Sequence, residues 1–105
     1  MKVSLKEDVC RQEDYELSVE KDRLVLSNEK ETLELPYRDM DRFWFRRFGS
    51  TVVAFVIEMT GTVYEGNFLK PGDAKVFTDQ LNQKVGDSMD VIFNMNQRRD
   101  KAFVL

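Results

Sequence analysis

One run of the chain concentrates the side chains best suited to recognition: Arg42-Phe43-Trp44-Phe45-Arg46-Arg47-Phe48. Alternate residues of a strand share a face, so Arg42, Trp44 and Arg46 fall on one side and Phe43, Phe45 and Arg47 on the other. A tryptophan between two arginines is good interface material, because these types dominate the energetic centres of protein interfaces. The same face suits stacking of single-stranded nucleic acid or capture of an anion. The competing reading is structural: Trp44 caps a barrel, and the arginines pair with Glu16, Glu20 or Glu34 on neighbouring strands. Arg42, Trp44, Arg46 and Arg47 are therefore the candidate binding residues.

Catalytic constellations are harder to find. The chain has no histidine, which removes the commonest general base, a Ser-His-Asp arrangement and any His-containing metal site. Cys10 is the single cysteine; with no histidine to activate it, it reads as a small half-buried residue at a strand end. Neither GxGxxG nor GxxxxGK[ST] occurs, so nothing announces a phosphate cradle. The acidic pairs Glu7-Asp8 and Glu13-Asp14 lie in polar stretches and read as solvated. Asp39 and Asp41 share a side of the chain but have no third ligand type nearby, and Asp39 suits a turn. The expectation is a protein that is not an enzyme and has no cofactor or metal.

The bulk numbers bound the rest. A chain of 105 residues makes one domain. Such a domain buries roughly 60–70% of its unfolded surface. With 42% hydrophobic residues and 8 Phe, it has the material for a core without metal or disulfide support. The net charge of −3 argues against nucleic acid or an anionic membrane as partner. The negative charge gathers early: residues 1–35 hold 6 Lys/Arg against 10 Asp/Glu. A lone cysteine forms no internal disulfide and fits a reducing compartment. Met1 to Asp8 has no apolar run of the kind a signal peptide carries, and no stretch reaches the ~18 apolar residues of a membrane span. A soluble, cytoplasmic protein is expected.

The elements that position the candidate face follow from periodicity. Val3 to Val9 reads as a weak first strand and Cys10 to Asp14 as a polar loop. Tyr15, Leu17 and Val19 then alternate with Glu16, Ser18 and Glu20, as in an antiparallel strand with one wet face. Leu24 and Leu26, then Leu33 and Leu35, repeat that pattern, and Pro36 ends a strand or marks a sheet edge. Arg42 to Phe48 is the aromatic, basic strand. Thr51 to Met59 is apolar on both faces and reads as covered on both sides. Gly61 sits at a tight turn, and Thr62 to Leu69 follows, with Gly66 a place for the sheet to bend. After Lys70-Pro71-Gly72, Asp73 suits a helix cap. Ala74, Phe77, Leu81 and Val85 then share one face of a helix whose C-terminal cap is Gly86. In residues 87–105, Val91-Ile92-Phe93 reads as a short strand. Phe103-Val104-Leu105, preceded by Arg98, Arg99 and Lys101, reads as an added strand or dimer contact.

About seven strands followed by one helix is the element order of the pleckstrin-homology (PH) superfold. Tyr15-Glu16-Leu17-Ser18-Val19, Arg23-Leu24-Val25-Leu26 and Leu33-Glu34-Leu35-Pro36-Tyr37-Arg38-Asp39-Met40 resemble the short bacterial PH-like domains. In those, a leucine, proline, polar, aspartate, aliphatic segment links the two halves of the barrel. The resemblance covers roughly residues 3–86. It implies a mainly β fold, an antiparallel barrel or two-sheet sandwich closed by one C-terminal helix, with residues 1–86 the domain and 87–105 an extension. It also implies a non-enzymatic interaction module or scaffold that binds a protein or peptide at a strand edge or at the groove between helix and sheet. The alternative is anionic-ligand or single-stranded nucleic-acid binding through the Arg42/Trp44/Arg46 face. Phosphoinositide-binding members carry a basic loop between the first two strands. Here that loop offers Arg11 alone, beside Glu13 and Asp14, so a phosphoinositide is not the expected partner. Many eukaryotic members have a tryptophan in the closing helix, where this chain has Phe77. A homo-oligomer stays open.

Overall fold

Period-two alternation dictates most of what is seen. The computed structural model describes residues 1–8 and 11–84. Its strands are β1 (Lys2–Glu7), β2 (Arg11–Val19), β3 (Arg23–Ser27), β4 (Thr32–Pro36), β5 (Arg42–Phe48), β6 (Thr51–Met59) and β7 (Thr62–Phe68); a helix, α1 (Asp73–Lys84), follows. The expectations for Val9, Cys10, Val85, Gly86 and residues 87–105 fall outside the described residues.

The strands form one antiparallel sheet in the order β4-β3-β2-β1-β7-β6-β5. Two meanders, β1–β4 and β5–β7, are sewn together where β1 pairs with β7, Leu5 lying opposite Gly66. The expected barrel or two-sheet sandwich is thus a single curled sheet, a half-barrel. Because β1 hydrogen-bonds on both sides, the two halves never separate into layers. Among the described residues β4 and β5 do not pair, so the barrel stays open between them. A single 3₁₀ turn, Tyr37–Asp39, carries the chain across that gap. Tyr37 anchors it: its N–H donates to the Asp22 carbonyl (3.1 Å) and its hydroxyl to the Glu20 carbonyl (2.8 Å).

The concave face holds one core drawn from both meanders. Leu17, Val19, Leu24, Leu26, Leu35, Phe55, Ile57, Phe77 and Leu81 are all buried, as their alternation requires. Leu33 is the exception and is half-buried; it sits on the edge strand β4, with a neighbour on one side alone. The α1 face Ala74, Phe77, Leu81 closes the half-barrel. The Phe77 ring lies 5.1 Å from Phe55, 5.5 Å from Phe68, 6.1 Å from Phe45 and 6.3 Å from Phe43. Asp73 is the first residue of the helix and not its cap, since the Val76 N–H already reaches the Gly72 carbonyl. Its carboxylate acts instead on the positive end of the helix dipole.

Two local corrections have clear causes. The polar stretch expected as a loop belongs to β2, which starts at Arg11. Its residues Arg11, Gln12, Glu13 and Asp14 register against Glu7, Lys6, Leu5 and Ser4. The hairpin extends past the core, so its far end needs no apolar face. Gly66, expected as a place for the sheet to bend, is required by packing. It lies opposite Phe55, and a Cβ there would stand 2.3 Å from the Phe55 ring. The missing side chain is the space that the buried ring occupies. Elsewhere the turn signals hold: Thr60 (φ 45°) and Gly61 (φ 82°) both take positive φ, as a tight two-residue hairpin requires.

Candidate functional site

Strand β5 presents Phe43 and Phe45 inward, both buried, so Arg42, Trp44 and Arg46 face outward. Two of these arginines already have acidic partners. Arg42 pairs with Glu58 at 3.2 Å and places its guanidinium 4.7 Å from the Trp44 ring centroid. Arg46 reaches Glu65 at 2.7 Å and donates to the Asn67 side-chain oxygen at 3.0 Å. Glu65 and Asn67 belong to β7, so Arg46 spans the whole of β6. Its stem arches over Ala54, which it faces in register and which is fully buried. Hence β6 is covered on both sides, as its sequence demands: a phenylalanine core inside, a charged lattice outside.

The pairing expected with Glu16, Glu20 or Glu34 does not occur. Glu16 takes the N-terminal amine at 3.1 Å, Glu20 accepts from the Ser18 hydroxyl and Glu34 holds Arg23 at 3.1 Å. Strand order is the reason, since β5 lies at the far edge of the sheet from β4. Nor does Trp44 cap the barrel. It is half-buried on the outer face opposite Val56, and Phe77 does the plugging.

Arg47 parts company with the other three. The pairing steps from Arg46–Ala54 to Arg47–Val52, leaving Val53 as the extra residue of a β-bulge. Beyond the bulge Arg47 is exposed. Its guanidinium touches the Ser50 carbonyl at 3.4 Å and forms no ion pair among the described residues. The next residue, Phe48, is 82% exposed.

The bulge also opens a channel that no sequence motif announced. One flank of α1 (Ala74, Lys75, Thr78 and Asp79) stands apart from Thr51 and Val52 at the start of β6, with Pro71 at the end. The cleft between them measures about 370 Å³. It continues past Val53, Phe68, Leu69 and Lys70 as a second hollow of about 230 Å³. Phe48 and Leu69, the latter 48% exposed, lie at strand ends beside it. A signal was present in the sequence: two bulky apolar residues next to the turn residues Gly49 and Pro71, where neither has a periodic partner.

The first meander is built otherwise. Arg11 joins Glu13 (2.7 Å) and Glu31, Lys30 joins Glu13 (3.1 Å), and the Tyr15 hydroxyl donates to Glu31. Hydrogen bonds from Arg11 and then Lys30 hold the Glu13 carboxyl below its usual range. Burial, reinforced by the hydrogen bond to Glu31, pushes the Tyr15 hydroxyl up to about 12. A hollow of about 390 Å³ on this meander is lined by Lys2, Asp14, Tyr15, Glu16, Ser27, Asn28 and Glu29. Its acidic walls already hold Lys2 opposite Glu16. Among the described residues, no group of three or more Cys, Asp or Glu side chains is placed to hold a metal, and no helix is long and apolar enough to cross a membrane. No family model, no curated protein and no solved structure matches the chain, so its own geometry carries the functional reading.

Proposed function

We propose that this protein is a non-enzymatic docking module, and that an extended segment of a partner protein lies in the channel between α1 and the start of β6. The observation that carries the reading is the channel itself. Val52, Pro71 and Ala74 line it, polar side chains rim it, and the exposed Phe48 and Leu69 adjoin it. Concave, mostly apolar surfaces with a few polar groups are the usual shape of a binding site. The fold is read as PH-like, supported by its order of seven strands and then one helix. The lone cysteine supports a cytoplasmic scaffold.

The Arg42/Trp44/Arg46 face supports the anionic-ligand alternative less well. An incoming phosphate has to displace Glu58 and Glu65 from their guanidiniums. The two readings separate in a titration of nitrogen-15-labelled protein with short peptides selected for binding. The docking reading expects shifted amide signals at Thr51, Val52, Lys75 and Thr78. Shifts confined to the Trp44 indole and its neighbours overturn it.

A further inference from the structure

The charge around the channel is uneven, and it names the chemistry of the occupant. On the helix wall Lys75 is matched by Asp79 at 3.1 Å, one turn along. Asp73, with Val76 and Gln80, falls on the opposite flank of α1 by helical spacing and does not line the channel. Two cations remain. Lys70 lines the second hollow, and Arg47 lies opposite Val52, which lines both. Neither forms an ion pair with a described residue. Lys2, Lys6 and Lys21 also lack an ion pair with a described residue but lie on the first meander, so Arg47 and Lys70 are the unmatched cations beside the channel. Beside them are the two most exposed large apolar side chains of the described residues, Phe48 and Leu69. A cation next to an unburied aromatic is an arrangement that water alone does not reward.

We infer that the channel takes an extended acidic–apolar segment of another protein: a bulky apolar side chain over Val52 and Pro71, flanked by at least one carboxylate that meets Arg47 or Lys70. This rests on the reading of the channel as the docking site. A polyanion finds the same two cations but has no use for the apolar walls, and the acidic remainder of the surface repels it.

The test selects short random displayed peptides on the protein and on its double variant Arg47→Glu/Lys70→Glu. On the unaltered protein the enriched peptides should place Asp or Glu beside Phe, Leu, Ile or Trp. The double variant should bind such a peptide about tenfold more weakly, an effect within reach of two reversed surface charges. Changing the peptide's Glu to Gln should weaken binding to the unaltered protein and not to the double variant. Thr78→Arg, which fills the channel from the helix wall, should abolish capture of either peptide. Thr51→Arg does the same from the exposed strand wall if Thr78→Arg unfolds the protein. Peptides selected without carboxylates, and held equally by both proteins, overturn the acidic partner while the channel reading stands. Peptides indifferent to Thr78→Arg and Thr51→Arg overturn both. Displacement of the peptide by single-stranded oligodeoxythymidine, or a doubled mass in light scattering that Thr78→Arg reverts to monomer, overturns the inference in favour of a polyanion or a second copy.

Discussion

The two meanders solve the same problem with opposite materials. In β1–β4 the exposed side chains are mostly Lys, Arg, Asp and Glu, and the arginines are each paired with two acids, as in Arg23 with Glu34 and Asp22. In β5–β7 with α1, stability comes from four phenylalanine rings gathered around Phe77, and the surface is left unfinished at the β5–β6 bulge. The comparison teaches where function fits. Arginines already held by two acids offer little to a partner, whereas a bulge beside an unburied Phe48 offers an unmatched cation and an apolar side chain.

That contrast breaks most readily at its aromatic centre. Phe77→Ala should lower stability by about 3–5 kcal/mol, read as a fall in the urea midpoint. An unchanged midpoint removes the helix from its role as plug. Gly66→Ala comes next, at about 1–3 kcal/mol, since its methyl group collides with a fully buried ring. Combining it with Phe55→Leu should recover part of the loss, and simple additivity of the two changes dismisses the collision. Smaller and opposite in sign, Thr60→Asn should stabilise by about 0.5–1 kcal/mol. Thr60 is β-branched at φ 45°, a conformation that Asn accepts more readily; a lowered melting temperature refutes the strain.

The first meander should answer to pH more than to truncation. The Tyr15 hydroxyl has its pKa raised from 10.0 to about 12 in the folded protein. A raised value means that the unfolded chain loses this proton first. The stabilisation is therefore complete below pH 10 and is lost as pH climbs to about 12. Denaturation followed across that window should show the fall, and Tyr15→Phe should flatten it; an equal fall in the variant assigns the effect to Tyr37 and Tyr64, which burial also raises. Least of all, Glu34→Gln should leave the melting temperature where it was, because its pair with Arg23 is solvent-exposed.

Much of the fold was legible. Alternation located the buried residues of β2, β3 and β6, and the 3-4 spacing of Ala74, Phe77 and Leu81 located the buried face of α1. Less of the site was. Arg42, Trp44 and Arg46 do share a face, but their partners Glu58 and Glu65 lie on the following strands β6 and β7, not in the acidic N-terminal third. Alternation grouped Arg47 with Phe43 and Phe45, but it gave no sign of the extra residue at Val53, which sets Arg47 opposite Val52 beside the channel. A bulge leaves almost no trace in a pattern of side-chain types, because Val52, Val53 and Ala54 read as ordinary strand residues.

What the amino-acid order determined by itself is local: which residues turn inward, where the chain reverses at Gly61, and that Phe77 sits on the apolar face of a helix. These follow from backbone sterics and from the aversion of apolar groups to water, both of which act over a few residues. Only the tertiary structure decided which strands are neighbours, and with that which charges cancel. Joining β1 to β7 puts β5 at the far edge of the sheet, hands Arg46 to Glu65, and leaves Lys70 in the wall of an open hollow with Arg47 beside Val52.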